Sequence, residues 1–260
     1  MTLLPTRMVA KPWGRDALPA PFAAPPGEKI GEVWFEPPAE FDALLVKYLF
    51  TSEKLSIQNH PGGANGKEEC WLVIDAEPGA RLGIGFREAI GPEALRAAAL
   101  DGSIEALLVW HPVRAGDFFY IPAGTVHAIG AGVSLIEVQQ NNDVTYRLYD
   151  YGRPRELHLD DGVAVAVGAP HPPELRRHVP RTGSVVLVEG PWFRLDRLDG
   201  PPGDAARARY AGPLLVIPRL GTIRVAGEAV TPGQCALAPA LDAVAMPELG
   251  QALIAQPCEG

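Results

Sequence analysis

Short apolar runs separated by proline- and glycine-rich turns recur along the chain, the pattern of many short strands. Between residues 11 and 58 the runs are GEVWF and ALLVKYLF. A polar, glycine-rich turn, HPGGANGKEE, then leads into CWLVIDA. DFFYIP, VSLIEVQQ and VTYRLYDY follow, and SVVLVEG, PLLVIPRLG, TIRVAG and QCALAPA close the series. One stretch differs. Residues 87–108, REAIGPEALRAAALDGSIEALL, are rich in Ala, Leu and Glu and predict helix. Gly91-Pro92 and Asp101-Gly102 interrupt it, so the expectation is two or three short helices. Residues 168–183, GAPHPPELRRHVPRTG, combine proline, glycine and charge without periodicity and read as a linker.

A weak internal repeat spans that linker. Gly116, Pro122 and Ala123 match Gly233, Pro239 and Ala240 at an offset of 117 residues, and Leu72-Val73-Ile74 matches Leu215-Val216-Ile217 at 143. The difference, 143 − 117 = 26, is about the length of the helical stretch, so a helical insert in the first unit explains both offsets. The expected fold class is mainly β: two jelly-roll barrels with a small helical insert in the first. The first unit is placed at residues 1–167, the linker at 168–183 and the second unit at 184–260. Under the repeat His127 falls opposite Val244 and Glu69 opposite Gly212, so the second unit is expected to keep the fold and lack the polar groups.

Composition narrows the function classes. A net charge of −8 argues against nucleic acid, which needs a basic face, but a few local Lys or Arg side chains can still hold one phosphate. No apolar stretch suits a membrane span and the N-terminal residues lack a signal-peptide core, so a protein of the cytoplasm is expected. Cys70, Cys235 and Cys258 are odd in number and lack CxxC spacing, which fits a reducing compartment.

Three polar clusters carry candidate chemistry. In LSIQNHP, Gln58 and His60 are two apart and share a face of a strand; in GKEECW, Lys67 and Glu69 have the same spacing. The turn PAGT delivers His127 at a strand start. Two histidines and a carboxylate make an open site for a divalent metal, and a glutamine oxygen adds a weak neutral ligand. Each residue also admits a bland reading: His60 as a structural residue before proline, His127 as a turn residue, Glu69 as half of a solvated pair with Lys67. Spacing alone leaves both open. His111, His158, His171 and His178 lack such a context and are assigned no role, and residues 139–142 read as a strand end and turn.

Taken together, KPWG, IGEVW, LVK, LSIQNHP, GKEECWLVID, GDFFYIPAGTVHAIG and QQNNDVTYRLYDYGR resemble the type I mannose-6-phosphate isomerases, zinc-dependent cupin enzymes. The resemblance covers roughly residues 9–153 and is strongest over 113–153. It implies metal ligands at Gln58, His60, Glu69 and His127, an essential arginine at Arg147, and active-site positions for Lys67 and Glu137. It implies one Zn²⁺ per chain, with Mn²⁺ or Co²⁺ as substitutes, and a small sugar phosphate as partner. Neither nucleic acid nor membrane is involved, and a monomer is expected. The implied reaction interconverts mannose 6-phosphate and fructose 6-phosphate through an enediol, with Glu137 or a metal-bound water carrying the proton. Asn59 stands where the family has a small apolar residue, and strand alternation turns it away from the ligands. A cupin dioxygenase and a non-catalytic sugar-binding cupin are the competing readings; the first leaves TYRLYD unexplained.

Overall fold

The computed structural model describes residues 3–258, and strands and helices are numbered here in chain order. The largest sheet is antiparallel and seven-stranded. Its order is β1 (Thr6–Arg15), β2 (Ile30–Phe35), β3 (Leu44–Phe50), β10 (Val133–Gln140), β5 (Glu69–Ala76), β8 (Asp117–Ile121), β12 (Arg176–His178). A five-stranded sheet packs against it in the order β11 (Tyr146–Tyr149), β4 (Ile57–Asn59), β9 (His127–Ile129), β6 (Arg81–Phe86), β7 (Leu108–Pro112). The second unit repeats this on a smaller scale. Its five-stranded sheet runs β13 (Val185–Glu189), β14 (Phe193–Asp199), β20 (Gln251–Pro257), β15 (Leu214–Leu220), β18 (Ala236–Ala238). Three strands, β17 (Glu228–Val230), β16 (Ile223–Val225) and β19 (Val244–Ala245), form its other sheet.

The two strand orders superpose: β2-β3-β10-β5-β8 corresponds to β13-β14-β20-β15-β18, and β9-β6-β7 to β19-β16-β17. The short sequence repeat therefore marks two jelly-roll barrels, as expected. The insert falls where the two offsets place it. Helix α1 (Pro92–Asp101) starts at a proline, whose missing N–H is unneeded in the first turn, and ends at Gly102, whose φ of 82° makes the left-handed cap. Helix α2 (Ile104–Leu107) follows at once. Two further short helices, α3 (Leu159–Val165) and α4 (Asp204–Arg209), flank the strands.

Strand alternation explains why the central strands look apolar throughout. Val46, Tyr48, Phe50, Cys70, Leu72, Ile136 and Val138 pack in one cluster with Leu187, Leu195, Leu215, Ile217 and Leu253 of the second barrel. Their neighbours Leu49, Trp71, Val73 and Leu135 fill the first barrel's own interior. The seven-stranded sheet thus buries both faces, one inside its barrel and one against the other barrel.

Residues 168–183, which read as a linker, are built into the first barrel. β12 pairs with β8 from Arg176↔Phe119 to His178↔Asp117, Pro170 bridges Gly85, and His171 Nε2 lies 2.8 Å from the Tyr120 carbonyl oxygen. The edge of β8 needs partners for its backbone groups, and three residues supply them without any visible periodicity. Among the described residues, no helix is long and apolar enough to cross a membrane.

Candidate active site

Strand register assembles the site as two rows of side chains. Across the seven-stranded sheet Trp34, Lys47, Glu137 and Trp71 are direct neighbours on β2, β3, β10 and β5. Across the five-stranded sheet Arg147, Gln58 and His127 are direct neighbours on β11, β4 and β9. Directly paired residues point to the same side of a sheet, so each row presents one polar face to the barrel interior. Together they line a cavity of about 320 Å³, along with Lys11, Glu32, Lys67, Glu69, Asp143 and Arg155.

At its wall Glu69 and His127 meet His60. Among the described residues they are the one His/Cys/Asp/Glu group whose ligand atoms all lie within 4.8 Å of one another, and all three are buried. His60 Nε2 is 3.5 Å from Glu69 Oε2, and His127 Nε2 is 3.6 Å from Glu69 Oε1. The Gln58 amide lies 3.5 Å from His127 Nε2. Each histidine sets its other ring nitrogen against a backbone carbonyl, His60 Nδ1 at 2.9 Å from Val144 O and His127 Nδ1 at 2.8 Å from Thr125 O. That contact selects the Nδ1–H tautomer and leaves the Nε2 lone pairs facing the centre, the orientation a metal ligand requires.

Electrostatics favour the same use. Burial pushes His60 well below its usual pKa, with Lys67 and His127 adding to it, and burial also lowers His127, so both rings are neutral and free to donate lone pairs. Burial opposes charge on Glu69, but the Lys67 ammonium, by its charge and its hydrogen bond, leads the opposing effects and the carboxyl stays below the usual range. Lys67 in turn is pushed up, because Glu69 and Glu137 overcome its burial. Its ammonium sits 2.9 Å from Glu69 Oε2 and 3.1 Å from His60 Nε2, a cation against two of the three converging side chains. Glu69 Oε2 is buried and engaged by that ammonium. A buried carboxylate and two neutral imidazoles whose ligand atoms lie within 4.8 Å of one another, with a cation already drawn to them, fit a divalent metal.

Of the residues expected at the site, Gln58, Lys67, Glu69, His127, Glu137 and Arg147 line this cavity, and His60 lies beside it, 3.5 Å from Glu69 Oε2. Gln58, His60, Lys67, Glu69 and His127 stand together; Glu137 and Arg147 form the walls. Arg147 is half-buried, donates from Nη1 to Glu156 O at 2.6 Å, and has its pKa lowered by burial and by Arg155. Asn59 does turn away, its Nδ2 donating to Gly162 O at 2.8 Å and tying β4 to α3.

The sequence reading missed Lys47. It is 5% exposed, ion-paired with Glu137 Oε1 at 3.1 Å, hydrogen-bonded to Gln139 Oε1 at 2.5 Å, and 4.4 Å from the Trp34 ring centre. Trp71 Nε1 donates to the other Glu137 oxygen at 3.0 Å. Burial lowers the Lys47 pKa despite Glu137. A lone lysine amid LLVKYLF was the available signal, since a fully apolar strand tolerates a charge only with a partner.

No protein-family model matches the chain. Over 49% of its length it is 44% identical to a mannose-6-phosphate isomerase of Streptococcus mutans, covering 45% of that protein. This decides the resemblance. The likeness to mannose-6-phosphate isomerases read from the motifs holds in the amino-acid alignment. The chain spans about half the length of the curated relatives it matches. The crystal structure of mannose 6-phosphate isomerase from Bacillus subtilis matches the fold with a TM-score of 0.73 at 22% identity, over 98% of this chain and 99% of that one. A zinc-bound mannose 6-phosphate isomerase matches at TM-score 0.72 and 15% identity, over 99% of each chain. Both likenesses carry the two-barrel fold.

Proposed function

We propose that this protein is a metal-dependent aldose–ketose isomerase that interconverts mannose 6-phosphate and fructose 6-phosphate in the first barrel's cavity. The observation that carries the reading is the meeting of buried His60, Glu69 and His127 at the wall of a cavity that Glu137 and Arg147 also line. The reading assigns catalysis to residues 1–167, completed as a barrel by the 168–183 segment that carries β12, and a supporting role to the second barrel at 184–260. It takes one metal ion per chain and a monomer as the working form.

His60, Glu69 and His127 would hold the metal, with Gln58 as a fourth ligand. When bound, a divalent ion such as Zn²⁺, or Mn²⁺ or Co²⁺ in its place, supplies positive charge that polarises substrate oxygens. Turning the Gln58 amide would bring its oxygen towards His127; Ser56 Oγ, now 2.9 Å from Gln58 Oε1, can then accept from the amide nitrogen instead. Isomerisation moves the C2 proton of the aldose to C1. Glu137 takes that proton, the C2–H electron pair becomes the C1–C2 double bond and the C1=O π pair moves onto O1 to give an enediolate. The O2 proton passes to O1, and Glu137 returns its proton to C1 as the C2 carbonyl forms. Arg147 faces the cavity and opposes the negative charge of that intermediate. Lys67 adds a second fixed positive charge beside the sugar oxygens.

The test is a coupled assay of mannose 6-phosphate conversion to fructose 6-phosphate. It compares protein as purified, stripped by chelator, and reloaded with zinc. Activity lost on stripping and restored by zinc is the expected result. A folded, zinc-loaded sample without conversion overturns the isomerase reading.

A further inference from the structure

A second polar cleft, of about 310 Å³, lies where the two barrels meet. The first barrel contributes residues 72–74 of β5, Gly116, and the segment from His178 to Arg181. The second contributes Arg197 of β14, Arg219 of β15 and Gln251 of β20. Three guanidinium groups and an imidazole line it, and no carboxylate does. In a chain of net charge −8 this is a local concentration of positive charge.

The charges fall into two sets. Arg197 is a framing group: it is 4% exposed, its Nη atoms donate to the carbonyl oxygens of Pro180 and Gly183, and its Nε lies 3.1 Å from Asp199 Oδ1. His178 is likewise held, Nδ1 at 2.8 Å from Asp117 Oδ1. Neither Asp199 nor Asp117 lines the cleft. The other two arginines lack a counter-charge among the described residues. Arg219 donates one N–H to Tyr48 Oη at 3.2 Å, and burial raises the Tyr48 pKa, so that partner is neutral. Arg181 is exposed. Arg197 and His178, each held by an aspartate outside the cleft, fix the walls, and two guanidinium groups without a counter-charge remain, matching the charge of a phosphate dianion.

We propose that this cleft is an anion site, distinct from the metal-centred cavity, that binds the phosphate group of free phosphate or of a small phosphomonoester between the barrels. Arg181 and Arg219 are its ligands, and Arg197 and His178 hold its walls in place.

Isothermal titration of the full, metal-loaded chain with inorganic phosphate and with glycerol 3-phosphate tests this. Phosphate affinity should fall about 10-fold or more in the Arg181→Gln/Arg219→Gln variant, while isomerase turnover is unchanged. It should persist in Arg147→Gln, whose arginine lines the other cavity. Tighter binding of glycerol 3-phosphate than of phosphate identifies an ester as the ligand, and the reverse identifies the free ion. Because Arg219 touches the buried Tyr48, Arg181→Glu serves as a surface variant that keeps that contact and must also weaken binding. Binding lost in Arg147→Gln but intact in the other variants overturns the proposal, as does the absence of binding by either probe.

Discussion

Removing Glu137 would strand the Lys47 ammonium, 5% exposed, with only a glutamine oxygen and an aromatic face for company. Breaking a buried ion pair from one side costs about 3–5 kcal/mol, whereas replacing both partners by apolar groups can be nearly neutral. Lys47→Met and Glu137→Leu should therefore each destabilise strongly, and the double variant should recover most of the loss. Urea unfolding of the four proteins measures the coupling, and simple additivity would sink the pairing argument. Arg147 presents the opposite case, because it holds no buried partner in charge. Arg147→Ala should lower kcat by about 10²–10³, the range for one lost charge-stabilising donor, with metal content unchanged. Turnover at the parent rate would remove Arg147 from the mechanism. His111 gives the acid limb of stability. Burial, then Arg176 and His171, push it from 6.5 down to about 4, so on acidification the unfolded chain takes up this proton first. The stabilisation is complete above about pH 6.5 and is lost between there and pH 4. Half-exposure reduces its size to about 1 kcal/mol. His111→Gln should lose less stability than the parent between pH 7 and 4.5, and parallel pH profiles would contradict this.

The turn Pro122–Thr125 shows how an element positions the chemistry. Gly124 sits at φ 77°, its N–H donates to His60 O at 2.9 Å, and its carbonyl accepts from Val167 N at 2.9 Å. A Cβ there would press on the Val165 carbonyl oxygen. One residue on, Thr125 O fixes the His127 ring, so this turn governs both histidines. Gly124→Ala should cost about 2 kcal/mol and weaken metal binding, while Gly79→Ala, at φ 87° with open space around it, should leave metal affinity untouched. Chelator competition distinguishes the two, and equal metal affinity in both would refute the turn's role. The spacing of Gln58 with His60 and of Lys67 with Glu69 suggested shared strand faces. The four do stand together, but His60 follows the end of β4 and Lys67 precedes the start of β5, so loop geometry places them. The helix boundaries at Pro92 and Gly102 were legible because their stop signals act within a turn. Lys47 and β12 were not. The lysine is explained only by a carboxylate 90 residues away, and β12 exists because a distant edge needed backbone partners. Long-range partners of that kind leave no trace in local periodicity.

At the scale of the molecule, the two barrels share a core. The cluster containing Val46, Tyr48, Leu72 and Ile136 of the first barrel also contains Leu187, Leu195, Leu215 and Leu253 of the second. The chain start crosses over as well, with Leu4 N donating to Cys235 O at 2.9 Å and Leu3 bridging Ala236. Separating the barrels would return that apolar surface to water, at roughly 25 cal/mol for each Å² exposed. Neither barrel is then expected to keep a folded state without the other, although the repeat makes them look like independent units. Unfolding should therefore be a single transition. Far-UV circular dichroism, which follows strands of both barrels, should coincide along a urea gradient with tryptophan fluorescence, which is dominated by Trp13, Trp34, Trp71 and Trp110 of the first barrel. The calorimetric and van't Hoff enthalpies should agree. Two resolved transitions, with fluorescence and dichroism separating, would mean that the shared cluster does not couple the barrels. The second barrel could then be removed without loss of the first. Coincident curves would make the second barrel, which carries none of the proposed metal ligands, part of what holds the metal-binding rows in register.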